Sequence, residues 1–130
     1  MIGKLIASLL KANTSLTTLV PEVNMYPYII NENTTLPALI YTVDNMDAEY
    51  DKDGWVQDAC TFSVVSFSDN YASLQDISRQ VRLALELKNG TTNNINIRNI
   101  YLTSQQEGYN INENVYLNKL TFDVEITSYS

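Results

Sequence analysis

The change of hydrophobic period at Asp69–Asn70 limits what this chain can become. Upstream, WVQDACTFSVVSF sets Cys60, Phe62 and Val64 on one side of an extended strand and Ala59, Thr61 and Ser63 on the other. Downstream, Tyr71, Leu74, Ile77, Val81, Ala84, Leu85 and Lys88 step by threes and fours through YASLQDISRQVRLALELK. That spacing predicts a helix, capped by Asp69 or Asn70 and closed by Asn89 and Gly90. A period of two then resumes, with Leu120, Phe122, Val124 and Ile126 alternating with Lys119, Thr121, Asp123, Glu125 and Thr127. Half-buried strands on both sides of an amphipathic helix require the helix to cover a sheet.

The remaining segments fit this layering. Ile2, Leu5, Ile6, Leu9 and Leu10 share a helical face opposite Lys4, Ser8 and Lys11; Asn13 is a stop, and TSLTTLV adds a short turn ended by Pro21. Together they predict one helical opening of about twenty residues. Pro37 favours an extended Leu36 and suits the first position of a strand, which runs to about Tyr50 and turns back at Asp51, Lys52, Asp53 and Gly54. INIRNIYLTS changes phase, predicting a break near Arg98 to Asn99, and QQEGYNINENV reads as a polar, projecting hairpin tip. The expectation is a single domain over 1–130 of α+β class: two helices packed on one face of a mostly antiparallel β-sheet with projecting hairpin loops.

Composition narrows function chiefly by exclusion. The chain has no histidine, which removes the commonest general base and metal ligand. Eight Lys and Arg against a net charge of −7 argue against gripping nucleic acid, which depends on neutralising phosphates. Cys60 is the only cysteine and has Asp58, Ala59, Thr61 and Phe62 as neighbours, so a buried, inert thiol is expected rather than a nucleophile. No apolar run is long enough to cross a bilayer, and IGKLIASLLKAN lacks the form of a secretory signal, so no membrane partner is expected.

Two groups of residues invite a functional reading. In DNMDAEYDKDGW, Glu49, Asp51, Asp53 and Gly54 match positions 1, 3, 5 and 6 of a calcium loop, but position 12 would be Cys60 instead of a bidentate Glu. A solvated hairpin tip explains the run better, and no metal or cofactor is expected. Tyr26, Tyr28, Tyr41, Tyr50, Tyr101, Tyr109 and Tyr116 recur in strands and loops, where tyrosine serves either an interface or the packing of a sheet. No nucleophile stands beside a base and no phosphate cradle occurs, so no enzyme is expected.

Taken in order, IGKLIASLLKAN, SLTTLV, VNMYPYII, LPALIYTV, FSVVSFS, YASLQDISRQVRLAL and LTFDVEIT resemble the tail completion proteins of long-tailed bacteriophages, the tail terminators and tail-to-head joining proteins. The resemblance spans nearly the whole chain. It implies a virion protein, made in the host cytoplasm, that forms a ring, usually a hexamer, closing the tail tube and meeting the head connector. It also implies no catalytic residues, and an acidic lumen would let DNA pass as cargo without sticking. The candidate contact residues are Tyr26, Tyr28 and Asn33 in the 26–36 loop, with Asp47, Glu49, Tyr50, Asp51, Asp53 and Trp55 in the 44–55 tip. Glu107, Tyr109, Asn112 and Glu113 join them from the 106–114 tip. A small adaptor or inhibitor binding a cellular protein through the same residues is the alternative.

Overall fold

The computed structural model describes residues 2–30 and 33–129. Its elements are α1 (Ile2–Ala12), α2 (Thr14–Leu19), a 3-10 turn (Glu22–Asn24), β1 (Met25–Pro27), β2 (Ala38–Asp51), β3 (Gly54–Ser68), α3 (Tyr71–Leu85), β4 (Gly90–Thr92), β5 (Ile95–Ile97), β6 (Tyr101–Asn110) and β7 (Val115–Tyr129).

The expected helical opening is two helices, because Asn13 starts a helix as well as stopping one. Its side chain accepts the Leu16 amide at 3.0 Å as an N-cap, while its Nδ2 donates to the Gln80 carbonyl at 3.3 Å and ties the joint to α3. The described residues therefore carry three α-helices where two were expected. Ile2, Leu5, Ile6 and Leu10 of α1 are all buried, as the three-four spacing predicts.

In α3, Asn70 rather than Asp69 is the cap, accepting the Ser73 amide at 3.0 Å. The helix ends at Leu85, short of the predicted Lys88. Leu87 takes φ +62 and donates its amide to the Ile100 carbonyl at 2.7 Å, and Ile100 returns a bond to the Lys88 carbonyl at 3.1 Å. These tertiary bonds draw the chain off the helix axis before Asn89 and Gly90, and Gly90 opens β4 at φ +94.

The fold is α+β, with a mixed sheet in the order β1-β2-β3-β7-β5-β4, and β6 also paired to β7. β1 runs parallel to β2, with Met25 opposite Leu39, and the other pairings are antiparallel. The parallel pair arises because Met25–Pro27, after Pro21, is itself an edge strand. β5 and β6 divide one flank of β7 between them, and residues 98–100 form the break predicted near Arg98.

β4 and β5 make a hairpin that the sequence reading did not anticipate. Thr92 pairs with Ile95 across Asn93 and Asn94, whose φ values of +52 and +64 suit a two-residue turn. Asn93 Nδ2 donates to the Lys4 carbonyl at 3.2 Å and to Ser8 Oγ at 2.6 Å, pinning this hairpin to α1.

All three helices join one face of the sheet. Leu39, Phe62, Val64, Leu120, Phe122, Val124 and Ile126 meet Leu5, Ile6, Leu10, Leu16, Ile77, Val81 and Leu85 in a single core. Each such side chain contributes about 1.5–3 kcal/mol by leaving water. Phe62 and Phe122 stack at its centre, 5.3 Å apart and 18° from parallel. The opposite face has no helix over it among the described residues, and it presents Asp47, Glu49, Thr61, Asp123 and Glu125.

Candidate assembly surface

Strand direction sorts the candidate residues into two ends of the sheet. Asp51 pairs with Gly54 at one end, whereas Ala38–Phe67, Ser68–Tyr116 and Asn110–Val115 lie side by side at the other. The 44–55 tip thus stands apart from the 106–114 tip and the 26–36 loop, which share an end.

At the shared end an apolar groove of about 590 Å³ opens. Ile29, Ile30, Leu36, Ile40, Phe67 and Val115 line it, with Tyr28 and Glu113 beside them. Tyr28 holds the loop: at φ +66 its hydroxyl accepts the Val43 amide at 3.2 Å and donates to the Val43 carbonyl at 3.4 Å. Tyr26 is half-buried and its hydroxyl accepts from Thr34 Oγ1 at 3.0 Å, so it braces the loop from within. Asn33 is exposed; Asn31 and Glu32, within the same predicted loop, lie outside the described residues.

The 106–114 tip is shorter than expected because β6 continues through Asn110. The Asn110 Oδ1 accepts the Asn112 and Glu113 amides at 3.0 and 3.3 Å, and residues 111–114 turn the chain. Tyr109 packs 4.7 Å from Tyr116, which lies 5.4 Å from Tyr71. Tyr71 donates to Glu107 at 2.6 Å, and that bond holds the phenol above its ordinary pKa. Glu107 and Tyr109 are thereby fixed on the helix side of β6.

At the far end the tip is stiffened by its own side chains. Asp51 Oδ1 accepts the Asp53 amide at 2.7 Å, and Glu49 accepts from Gln57 at 2.9 Å. Trp55 donates its indole N–H to Asp58 at 2.9 Å and packs 6.1 Å from Tyr129, whose hydroxyl donates to the other Asp58 oxygen at 2.6 Å. Partial burial, followed by that hydrogen bond, pushes the Tyr129 phenol up. Tyr50 is left 70% exposed.

Between the ends, the open face forms a shallow concavity of about 350 Å³ bounded by Asp47, Glu49, Tyr101, Asp123 and Glu125. Several acids there have neutral partners: Ser63 donates to Asp44, Thr61 to Asp123 at 2.8 Å, and Gln57 to Glu125. Arg98 lies 3.6 Å from Glu125. Among the described residues no group of three or more Cys, Asp or Glu is placed to hold a metal ion.

Cys60 is buried beneath this face, and desolvation, reinforced by Asp44, Asp123 and Asp58, raises its thiol from 9.0 to about 12. The thiol should resist alkylation at pH 8 in the folded chain and react fully after denaturation; equal rates in both states would contradict its burial. A raised folded-state pKa means that the stability linked to this proton is intact below pH 9.0 and is lost as pH rises through about 12. Alkaline unfolding should therefore begin within that window, measured as a falling denaturation midpoint.

Sequence reasoning missed the apolar half of the groove. A signal was available: the outward phase of FSVVSF ends in Val65 and Phe67, apolar side chains on the face that should be polar, and Val115 and Leu117 repeat the pattern in β7. It also missed Asp58 and Tyr129, which meet across β3 and β7 at a separation that composition does not reveal.

The described residues thus form an α+β sheet with helices on one face and polar hairpins at its ends. The sequence matches the family described as Tail completion protein gp17 over residues 4–127. The chain belongs to that family, and it is a structural component of a phage tail. Its fold is similar to a chain in the virion of a native gene transfer agent particle, with a TM-score of 0.74 and 14% identity over 95% of this chain and 92% of that one. A second solved structure is similar with a TM-score of 0.60 and 13% identity over 98% and 97% of the two chains. No curated protein sequence matches.

Proposed function

We propose that the chain forms a hexameric ring at the head-proximal end of a phage tail, ending the tail tube and joining it to the head connector. The observation that carries this reading is the asymmetry of the subunit. Its hairpin tips and apolar groove stand at different ends and edges of one sheet, so a contact between copies joins unlike surfaces, the arrangement that closes rings. The β2–β3 and β6–β7 hairpins serve neighbouring subunits, and the groove with the 26–36 loop faces the tube or connector protein. The acidic open face suits a wall past which DNA moves without adhering.

The test is the mass of the purified chain, alone and mixed with its tube or connector protein. Ring mass in either condition is expected. A persistent monomer that never enters particles would sink the proposal and favour an adaptor or inhibitor of a cellular protein.

A further inference from the structure

Charge is divided between separate parts of the chain. None of its fifteen Asp and Glu residues lies in 1–21 or 87–106, and those stretches carry Lys4, Lys11, Lys88 and Arg98. The fold brings the two stretches together, because Asn93 in the β4–β5 turn donates to the Lys4 carbonyl and to Ser8 Oγ of α1. Between them lies a recess of about 460 Å³, lined by Lys4, Ala7, Ser8, Lys11, Asn93 and Asn94. No carboxylate is among its lining residues.

Lys4, Ala7, Ser8 and Lys11 follow one stripe of α1 at spacings of three and four, which sets the two lysines about 10 Å apart along the axis. Both are exposed, and among the described residues neither lies within ion-pair distance of an acid. The recess therefore presents uncompensated positive charge.

The acidic counterpart projects. β3 pairs with β7 only as far as Asp58, so beyond that point β2 and β3 run on as a two-stranded arm. Residues 47–56 are all exposed, and 44–53 set Asp44, Asp47, Glu49, Asp51 and Asp53 against Lys52 alone. Asn45 donates to Asp47 and Gln57 to Glu49, neutral partners that leave the charge in place. Tyr50 stands exposed among these acids.

Arm and recess belong to opposite sides of the sheet, whose order places β2 beside one edge strand and β4 at the other edge. An arm that reaches the recess of a neighbour thus leaves that neighbour's own arm free for the next copy.

We infer that the β2–β3 arm of one copy seats in the recess between α1 and the β4–β5 turn of the next, Lys4 and Lys11 taking carboxylates of the arm and Tyr50 serving as its anchor. This rests on the ring reading above and names the surface that receives the arm. Opposite charge sets the pairing, and repulsion disfavours arm against arm.

Charge exchange on the full chain tests it. Lys4→Glu with Lys11→Glu and, separately, Glu49→Lys with Asp53→Lys should each weaken self-association at least about tenfold, read by sedimentation in the condition where the parent forms rings. All four changes in one chain restore opposite charges at every contact and should recover ring mass, as should an equimolar mixture of the two double variants. Arg79→Glu with Lys119→Glu alters net charge as much as the first pair and should assemble like the parent. Thermal melts check folding; where a reversed pair lowers the melt, Lys4→Ala with Lys11→Ala or Glu49→Gln with Asp53→Asn takes its place. A parent that forms rings while either double variant assembles equally well overturns the arm-in-recess contact and leaves the ring standing. So does a failure of both the fourfold variant and the mixture to improve on the double variants, or an equal loss in the Arg79 and Lys119 variant. A parent that remains monomeric, alone and with tube or connector protein, overturns both.

Discussion

A chain carrying Ile29→Asp is expected to unfold at the parent's denaturant midpoint and yet to enter particles poorly. Ile29 lines the groove and is 76% accessible, so it does not support the core. Substitutions at such positions usually change stability by less than about 0.5 kcal/mol. If the groove seats the tube or connector protein, however, the aspartate must be desolvated against an apolar partner. A central interface position of that kind costs about 2 kcal/mol or more, so the change should weaken capture by at least about thirtyfold. Pull-down with tube or connector protein reads the loss, and sedimentation checks that self-association persists, since Ile29 lies on neither hairpin tip. Undiminished capture would remove the groove from the joining surface.

The largest loss of stability is expected from Phe122→Ala. Phe122 and Phe62 are fully buried and stack 5.3 Å apart where β3 and β7 pair, beneath the helices. Truncating one ring removes its transfer free energy and leaves a cavity that two strands and a helix layer cannot close. Such replacements cost about 3–5 kcal/mol, a large part of the stability of a domain this size. Urea denaturation should show the midpoint falling with an unchanged slope; a change below about 1 kcal/mol would mean that the centre of the core has been misplaced.

The alternation in β3 and β7 and the periodicity of α3 were legible because each strand or helix has one apolar face, and burial follows that face, with exceptions at Tyr71, which is exposed, and Ser63, which is buried from the other side. Leu120, Phe122, Val124 and Ile126 are all buried, as their phase requires. What escaped depends on partners distant in sequence. The end of α3 is decided by bonds from Leu87 and Lys88 to Ile100, which override the Asn-Gly stop signal. The β4–β5 hairpin is so short that its Asn93–Asn94 turn outweighs any periodicity in Gly90–Thr92.

The candidate surface was legible in part. Polar tips and exposed tyrosines are visible in composition, and Tyr28, Tyr50 and Tyr109 do stand at the surface. Their grouping was not visible, because it requires knowing which ends of β2, β3, β6 and β7 lie side by side in one sheet. Tyr26 shows the limit from the other side, its hydroxyl being taken by Thr34.

The position of β7 has a consequence for the chain as it is synthesised. Although last in sequence, this strand lies between β3 on one flank and β5 and β6 on the other. Until it emerges from the ribosome, the β2–β3 hairpin exposes the edge that β7 will fill, and Phe62 lacks its stacking partner. The core therefore closes only after translation has passed residue 129, and a truncated or stalled product presents an open strand edge, the form most prone to aggregate. Only chains translated through β7 can supply folded subunits for assembly.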